Sequence, residues 1–330
     1  MITLEHDRLI FRSSEVHEHA VCAIDLQRTL RIPDDGTDYP LPPGLGRFPL
    51  RHLDDYAERL PSDWLKRGGV IMPMHQAEAL WLRFDAGGWR TGGYPFALKI
   101  ATGKICAVTG ESWFNHLNTG PQDYVVVPEQ PWLDGYCVEK GVIRQFVAMP
   151  LGDGYTVEEQ LNGAAEHGGV QIVAYPMKRE RYEEKKRREK IIHACRSLSP
   201  EAMGLAPGGR MKQEVYADPY GLDAWDQRHA SRCFVTIANS TQWAAITGER
   251  PPTEPPSAAD YTEAGLPWFE YYGGDAAALE GAEKFRKLSS VATMGKQKGE
   301  IPLPENESVA PKRTIPLGKR RSGRVREMML

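Results

Sequence analysis

From residue 69 to residue 178 the apolar positions come in short blocks, not at helical spacing. The blocks AEALWLRF, YPFALKI, KICAVTG, DYVVVPE, VIRQFVAM and GVQIVAY are rich in β-branched and aromatic residues, and Gly, Pro, Asp or Asn bound them. Six strands are predicted. ALKIATGKICAV reads as a hairpin with Ala101–Gly103 in its turn, and LDGYCVEKGVIRQFVA as a second one turning near Lys140–Gly141. Such short connections build antiparallel sheets, because a parallel pair needs a long crossover. The expected fold class is α+β, with a dominant antiparallel β sandwich or barrel-like domain, a smaller α/β unit and a disordered basic C-terminal arm.

The flanking segments change the period. RLIFRS and HAVCAIDLQ add short strands before the turn-rich IPDDGTDYPLPPGLG, so residues 1–39 read as an N-terminal arm. Leu50, Leu53, Tyr56 and Leu60 stand at three- and four-residue steps and predict an amphipathic helix. Residues 178–190, KRERYEEKKRREK, hold eight basic and four acidic residues and neither Pro nor Gly. They predict a charged helix, with Glu183–Arg187 and Glu184–Arg188 in the favourable i,i+4 order. This helix ends a β-rich domain at 40–195, and SLSPEAMGLAPGGR marks a boundary. Residues 208–290 read as the smaller unit. Its strands fall at MKQEVYA and RCFVTIAN, one helix at STQWAAITG is closed by Gly248, and a second is capped by Ser257 or Asp260. From residue 291 apolar periodicity fades into a flexible tail ending at 330.

Composition narrows the class. With 330 residues, 41% hydrophobic and 26% charged, the chain can bury a core without a disulfide or metal staple. Five widely spaced cysteines without a C-x-x-C pair predict reduced thiols and a cytoplasmic location. The N-terminus is charged from Glu5 and no apolar run reaches the ~18 residues of a spanning helix, so neither a signal peptide nor a membrane partner is expected. Charge is split. Lys284–Leu330 carries 12 Lys/Arg against 4 Glu, a net of +8, while the rest carries 29 against 40, a net of −11.

Residues 144–160, RQFVAMPLGDGYTVEEQ, resemble in outline a strand, a glycine turn and a helix that would cradle phosphate. Gly152 and Gly154 fit, but Val157 stands where a dinucleotide loop needs its third glycine, and Asp153 brings negative charge. Thr156 and Glu159 fit a capping box instead, in which side chains take the amides a phosphate would need. A nucleotide loop is not expected, nor any other cofactor.

Four residues are candidates for acid–base or nucleophilic chemistry: Glu129, Asp134 and Cys137, close together in VVVPEQPWLDGYC, and His167 before a following strand. Carboxylates with separated pKa values, or a thiol beside an imidazole, would suit a hydrolase or lyase. A second set, Tyr216, Asp218, Tyr220, Asp223, Trp225 and Trp268, mixes rings with carboxylates in the manner of a ligand surface. A third, Lys319, Arg320, Arg321, Arg324 and Arg326, would meet an acidic partner, a second copy of the chain or nucleic acid. His17 with His19 and His75 with Glu78 lack further ligands, so no metal site is expected. No G-x-S-x-G, H-E-x-x-H, P-loop or kinase motif occurs. The leading expectation is a cytosolic binding or assembly protein that uses the aromatic–acidic surface and the basic arm to hold a protein partner or itself. The alternative is the hydrolase or lyase with a pocket in the β-rich domain.

Overall fold

A computed structural model describes residues 1–86, 93–189, 207–271 and 277–317. The fold is mixed α+β, with short helices around mostly antiparallel sheets. The first sheet runs Ile2–Glu5, Arg8–Arg12, Val21–Thr29, Ala79–Asp85 and Trp132–Leu133, with Gly44–Arg47 also on Val21–Thr29. The second runs Ile105–Cys106, Phe96–Thr102, Val170–Pro176, Ser231–Ala238, Val70–Pro73 and Arg51–His52, with Val125–Val127 also on Phe96–Thr102. Among the described residues its only parallel pair joins Ser231–Ala238 to Val70–Pro73. The third holds Gly135–Glu139, Val142–Phe146, Pro207–Lys212 and Asp38–Tyr39. No sheet of the described residues closes into a barrel.

Local chemistry explains the turns. Thr102 pairs with Ile105, so the first hairpin turns on Gly103 and Lys104, both at positive φ (53° and 58°). That is the geometry a two-residue hairpin loop demands, and it places the turn one residue later than the pattern suggested. Glu139 pairs with Val142 across Lys140 and Gly141, as expected. The helix predicted over Leu50–Leu60 is broken. Arg51 and His52 join the second sheet, Leu53–Arg59 winds as a 3₁₀ helix, and Ser62–Arg67 starts afresh after Pro61. Proline has no amide to continue the ladder. The charged helix forms at Arg179–Glu189, and Ser257, not Asp260, caps Ala258–Glu263.

The segments on either side of the expected boundary share sheets and a core. Pro207–Lys212 pairs with Val142–Phe146, and Ser231–Ala238 with Val170–Pro176. One apolar cluster runs from Leu9 to Leu288 and includes Ile24, Phe84, Ile100, Phe146, Ile172, Met211 and Val235. Within the segment read as an arm, Val21–Thr29 is an interior strand, buried along nearly its whole length. The segment read as a flexible tail begins folded. Ser290 caps the helix Val291–Lys298, and Thr314–Leu317 lies parallel to Trp268–Tyr271. Val291 is buried, because its side chain joins Ala77, Val147 and Tyr155 in a second cluster. The basic residues Lys319, Arg320, Arg321, Arg324 and Arg326 lie outside the described residues. Among the described residues no helix is long and apolar enough to cross a membrane.

Candidate functional site

The stretch that resembled a phosphate loop builds one wall of a cavity of about 580 Å³. After the strand Val142–Phe146, the chain is tied to the first sheet by Ala148 N–H donating to the Glu78 carbonyl and Ala77 N–H donating to that of Ala148. Gly152 and Gly154, at φ 107° and 76°, then turn it into the helix Val157–Asn162. Thr156 and Glu159 form the expected capping box. The Glu159 carboxylate also accepts the N–H groups of Gly152 (2.9 Å) and Gly154 (2.7 Å). The next residue back, Glu158, points the other way and is 2% exposed. It accepts the N–H groups of Glu166 (3.1 Å), His167 (2.9 Å) and Gly168 (2.8 Å). Arg67 holds the same loop from outside, donating to the carbonyls of Glu166 (2.5 Å) and His167 (2.7 Å). Successive amides in a tight loop make a concave anion seat. Here both seats are filled by consecutive glutamates of one helix.

The opposite walls come from the first turns of two helices and from strand ends. Asp63 and Trp64, Met74 to Gln76, Thr236 and Ile237, and Asn239 and Gln242 face the loop across the space. Met74, Val147, Met149, Leu151, Val157 and Ile237 make much of the surface apolar. Thr236 is 3% exposed, and among the described residues its hydroxyl has no hydrogen-bond partner. A buried hydroxyl without a partner is costly, and this one is itself sealed from solvent, so it is not an open contact of the cavity.

Two histidines border the cavity with different freedom. His75 Nε2 lies 2.8 Å from the Pro252 carbonyl and must donate to it, since a carbonyl only accepts. Its Nδ1 lies 2.9 Å from the Ser240 hydroxyl, so both ring nitrogens are engaged. His167 is not so tied. Its Nε2 lies 3.7 Å from Glu166, and among the described residues its Nδ1 has no hydrogen-bond partner. Burial, then the charge of Lys104, holds its pKa below the usual histidine value, so the ring is neutral at pH 7.

Of the four residues expected to carry chemistry, only His167 lines this cavity. Asp134 is buried in reciprocal contact with Gln213, whose amide N–H donates to it (2.9 Å) and whose oxygen accepts its backbone N–H (3.0 Å). Burial pushes its pKa well up, although the Gln213 amide and the neighbouring Trp132 indole favour the charged form. Cys137 is buried in its strand, and burial pushes its thiol up to about 12, so it is not a ready thiolate. Glu129 meets the second set instead, accepting the Tyr220 hydroxyl.

That second set divides. Asp218 accepts the Tyr124 hydroxyl (2.6 Å), the Trp225 indole N–H (2.8 Å) and the Tyr220 backbone N–H (2.7 Å). Gln122 ties it to Tyr216 by accepting the Asp218 N–H and donating to the Tyr216 carbonyl. Trp225 is 2% exposed and Tyr216 5%. The group is a partly buried polar hub, held mostly by Tyr124, Gln122 and Glu129 from outside the set. Asp223 is exposed near Arg181, and Trp268 is buried elsewhere, between Tyr39 and Tyr261. The cavity residues Trp64, Glu158 and Thr236 were missed by sequence reasoning. The Glu-Glu pair after Thr156 was the one local signal that could have drawn attention to them.

No protein-family model matches the chain, and no curated protein or solved structure is detectably similar to it.

Proposed function

We propose that this is a binding protein whose ligand is a small molecule held in the 580 Å³ cavity. The observation that carries this reading is a concave, largely apolar wall that a few polar residues, His167, Asn239 and Gln242 among them, also line. A few convergent polar groups on an apolar surface are what small-molecule sites are made of. The loop that forms one wall is fixed from both sides by Glu158 and Arg67, so the site is formed before a ligand arrives. Preformed walls reduce the ordering cost of binding. The aromatic–acidic segment supports partner binding less well, since Asp218 and Trp225 spend their polar atoms on each other and on Tyr124. Association through the basic arm, with a protein, a second copy or nucleic acid, rests on charge alone. The four cysteines among the described residues are free and buried, which fits a reducing, cytoplasmic setting.

A hydrolase or lyase at the same cavity is the second reading, favoured by the neutral His167 ring with its open Nδ1. Binding ranks first because Cys137, its expected nucleophile partner, does not line the wall.

The test is a melting-temperature screen against a diverse set of small molecules, run in parallel on Ala165→Trp. Ala165 is exposed at the cavity, so a large ring there obstructs the space without disturbing the core. Ligands should stabilise the wild type and lose that effect in the variant. Equal stabilisation of both proteins, or none by any compound, would end the cavity reading.

A further inference from the structure

We infer that His17 is an acid-sensitive clasp: it holds the charged helix Arg179–Glu189 in place and releases it when the ring takes up a proton. The helix needs a hold, since 11 residues are too few to stay helical alone in water. Among its described side chains only Tyr182 is buried, at 4% exposed. The Tyr182 ring centre lies 4.2 Å from that of Tyr94 and 5.0 Å from that of His17. Tyr94 is fixed, its hydroxyl donating to the Met177 carbonyl at 2.6 Å. His17 comes from the turn between the strands Arg8–Arg12 and Val21–Thr29, so a hairpin of the first sheet reaches across to a helix that follows a strand of the second. Arg179 adds a bond to the same turn, donating to the Val16 carbonyl at 2.9 Å.

The ring is set for its neutral form. Nδ1 accepts the backbone N–H of His19 at 3.0 Å, and a proton on that nitrogen would turn the acceptor into a donor facing a donor. The backbone cannot readily turn away, because Ala20 N–H donates to the His17 carbonyl and Val21 N–H to that of His19. Charges bear on the ring from both sides. Burial first, then His19 of the turn and Arg179 of the helix, oppose a proton, while Glu18 of the turn and Glu183 of the helix favour one; the balance leaves the pKa below the usual histidine value. Around the ring nest, Lys186 lies over Tyr182 at 5.6 Å, and Glu180 and Asp226 act on Tyr94. Once released, the histidine returns to its ordinary pKa, so acid favours the released helix.

The experiment is hydrogen exchange of the full chain at pH 7 and pH 5, corrected for intrinsic exchange rates, with the His17 titration followed by NMR. Opening of residues 179–187 should rise up to about tenfold for each pH unit below ~6.5, until the folded pKa is reached. The strand Val170–Pro176 should not follow. His17→Phe keeps a ring against Tyr94 and Tyr182 but has no proton to gain, so its helix should open equally at both pH values. A wild-type helix that opens no more at pH 5, or opens only together with Val170–Pro176, overturns the clasp. So does a His17→Phe helix with the wild-type response, or a measured His17 pKa at or above the ordinary value.

Discussion

The carboxylate of Glu159 accepts the backbone N–H of Gly154 at 2.7 Å. A residue inside the helix thereby closes the turn that leads into it, and the place where a phosphate would sit is taken by a side chain. Burial pushes this carboxyl up. Hydrogen bonds from Thr156 and from the amides of Gly154, Thr156 and Gly152 together outweigh that and leave its pKa below the usual value. The folded pKa is lower than the unfolded one, so the stabilisation is complete above the ordinary carboxylate range and is lost as pH falls through the folded value. Glu159→Ala should cost about 1–2 kcal/mol at pH 7 and show a smaller loss of stability on acidification. Urea denaturation at pH 7 and pH 4 reads both effects. A variant with the same acid sensitivity as wild type would refute the assignment.

Glu158 should matter more, because it is buried and three amides depend on it. Glu158→Ala strands those amides, with an expected cost of about 2–4 kcal/mol. Gly103 supplies an independent check. It sits at φ 53°, and a Cβ there would come within 2.4 Å of the Glu158 carboxylate. Gly103→Ala should therefore destabilise the protein on its own. Combined with Glu158→Ala, it should cost less than the sum, since the clash with the carboxylate is gone and only that with the Cβ of residue 158, at 2.6 Å, remains. Additive losses in that cycle would show that the two residues do not share the contact.

Lys99 makes a buried ion pair with Asp123 at 2.5 Å and also donates to the His116 carbonyl at 2.7 Å. Its side chain is 1% exposed. Lys99→Met leaves the Asp123 charge without its cation and should cost about 3–5 kcal/mol, whereas Lys99→Met with Asp123→Asn should recover part of that. The denaturation midpoints of the two variants decide it; a double variant no better than the single one would contradict the pairing.

Lys99 also shows how far the sequence could be read. The strand blocks, the Lys140–Gly141 turn and the Thr156–Glu159 capping box were legible, because each depends on residues a few positions apart. The lysine in YPFALKI was not, because alternation along one strand does not reveal that Val125–Val127 and Val170–Pro176 flank it and that every residue of Phe96–Thr102 is buried. The broken helix after Leu50 escaped for a similar reason. Its spacing is helical, but pairing of Arg51–His52 with the second sheet prevailed. The cavity combines residues near 64, 75, 103, 158, 167 and 236, which no local pattern brings together. For the aromatic–acidic stretch the composition was visible, but not that Tyr124, Gln122 and Glu129 would turn it inward.

Residues 291–317 should contribute to stability, contrary to what their composition suggests. Asp34 accepts the Ala292 N–H at 2.8 Å, buried Arg31 donates to Asn306 at 2.5 Å, and Tyr155 bonds Glu300. A chain ending at Ser290 loses all three, together with the packing of Val291 and the strand beside Trp268–Tyr271. Its melting temperature should lie at least about 5 °C below that of a chain ending at Leu317. Equal melting temperatures would mean that these contacts do not hold.

The state of His167 links stability to the cavity. Burial and then Lys104 lower its pKa, with Arg67 adding to them and the Glu158 and Glu166 carboxylates opposing. The unfolded chain thus takes up a proton before the folded one does. Between the unfolded value near 6.5 and the lower folded value, stability must fall as pH falls; above that window the residue contributes no slope. His167→Gln should flatten this segment of the pH–stability curve. Lys104→Gln should move the histidine titration, followed by NMR, upward without abolishing it, because burial remains. A wild-type curve without a slope in this window, or a His167→Gln curve identical to it, would show that the fold does not hold the histidine neutral.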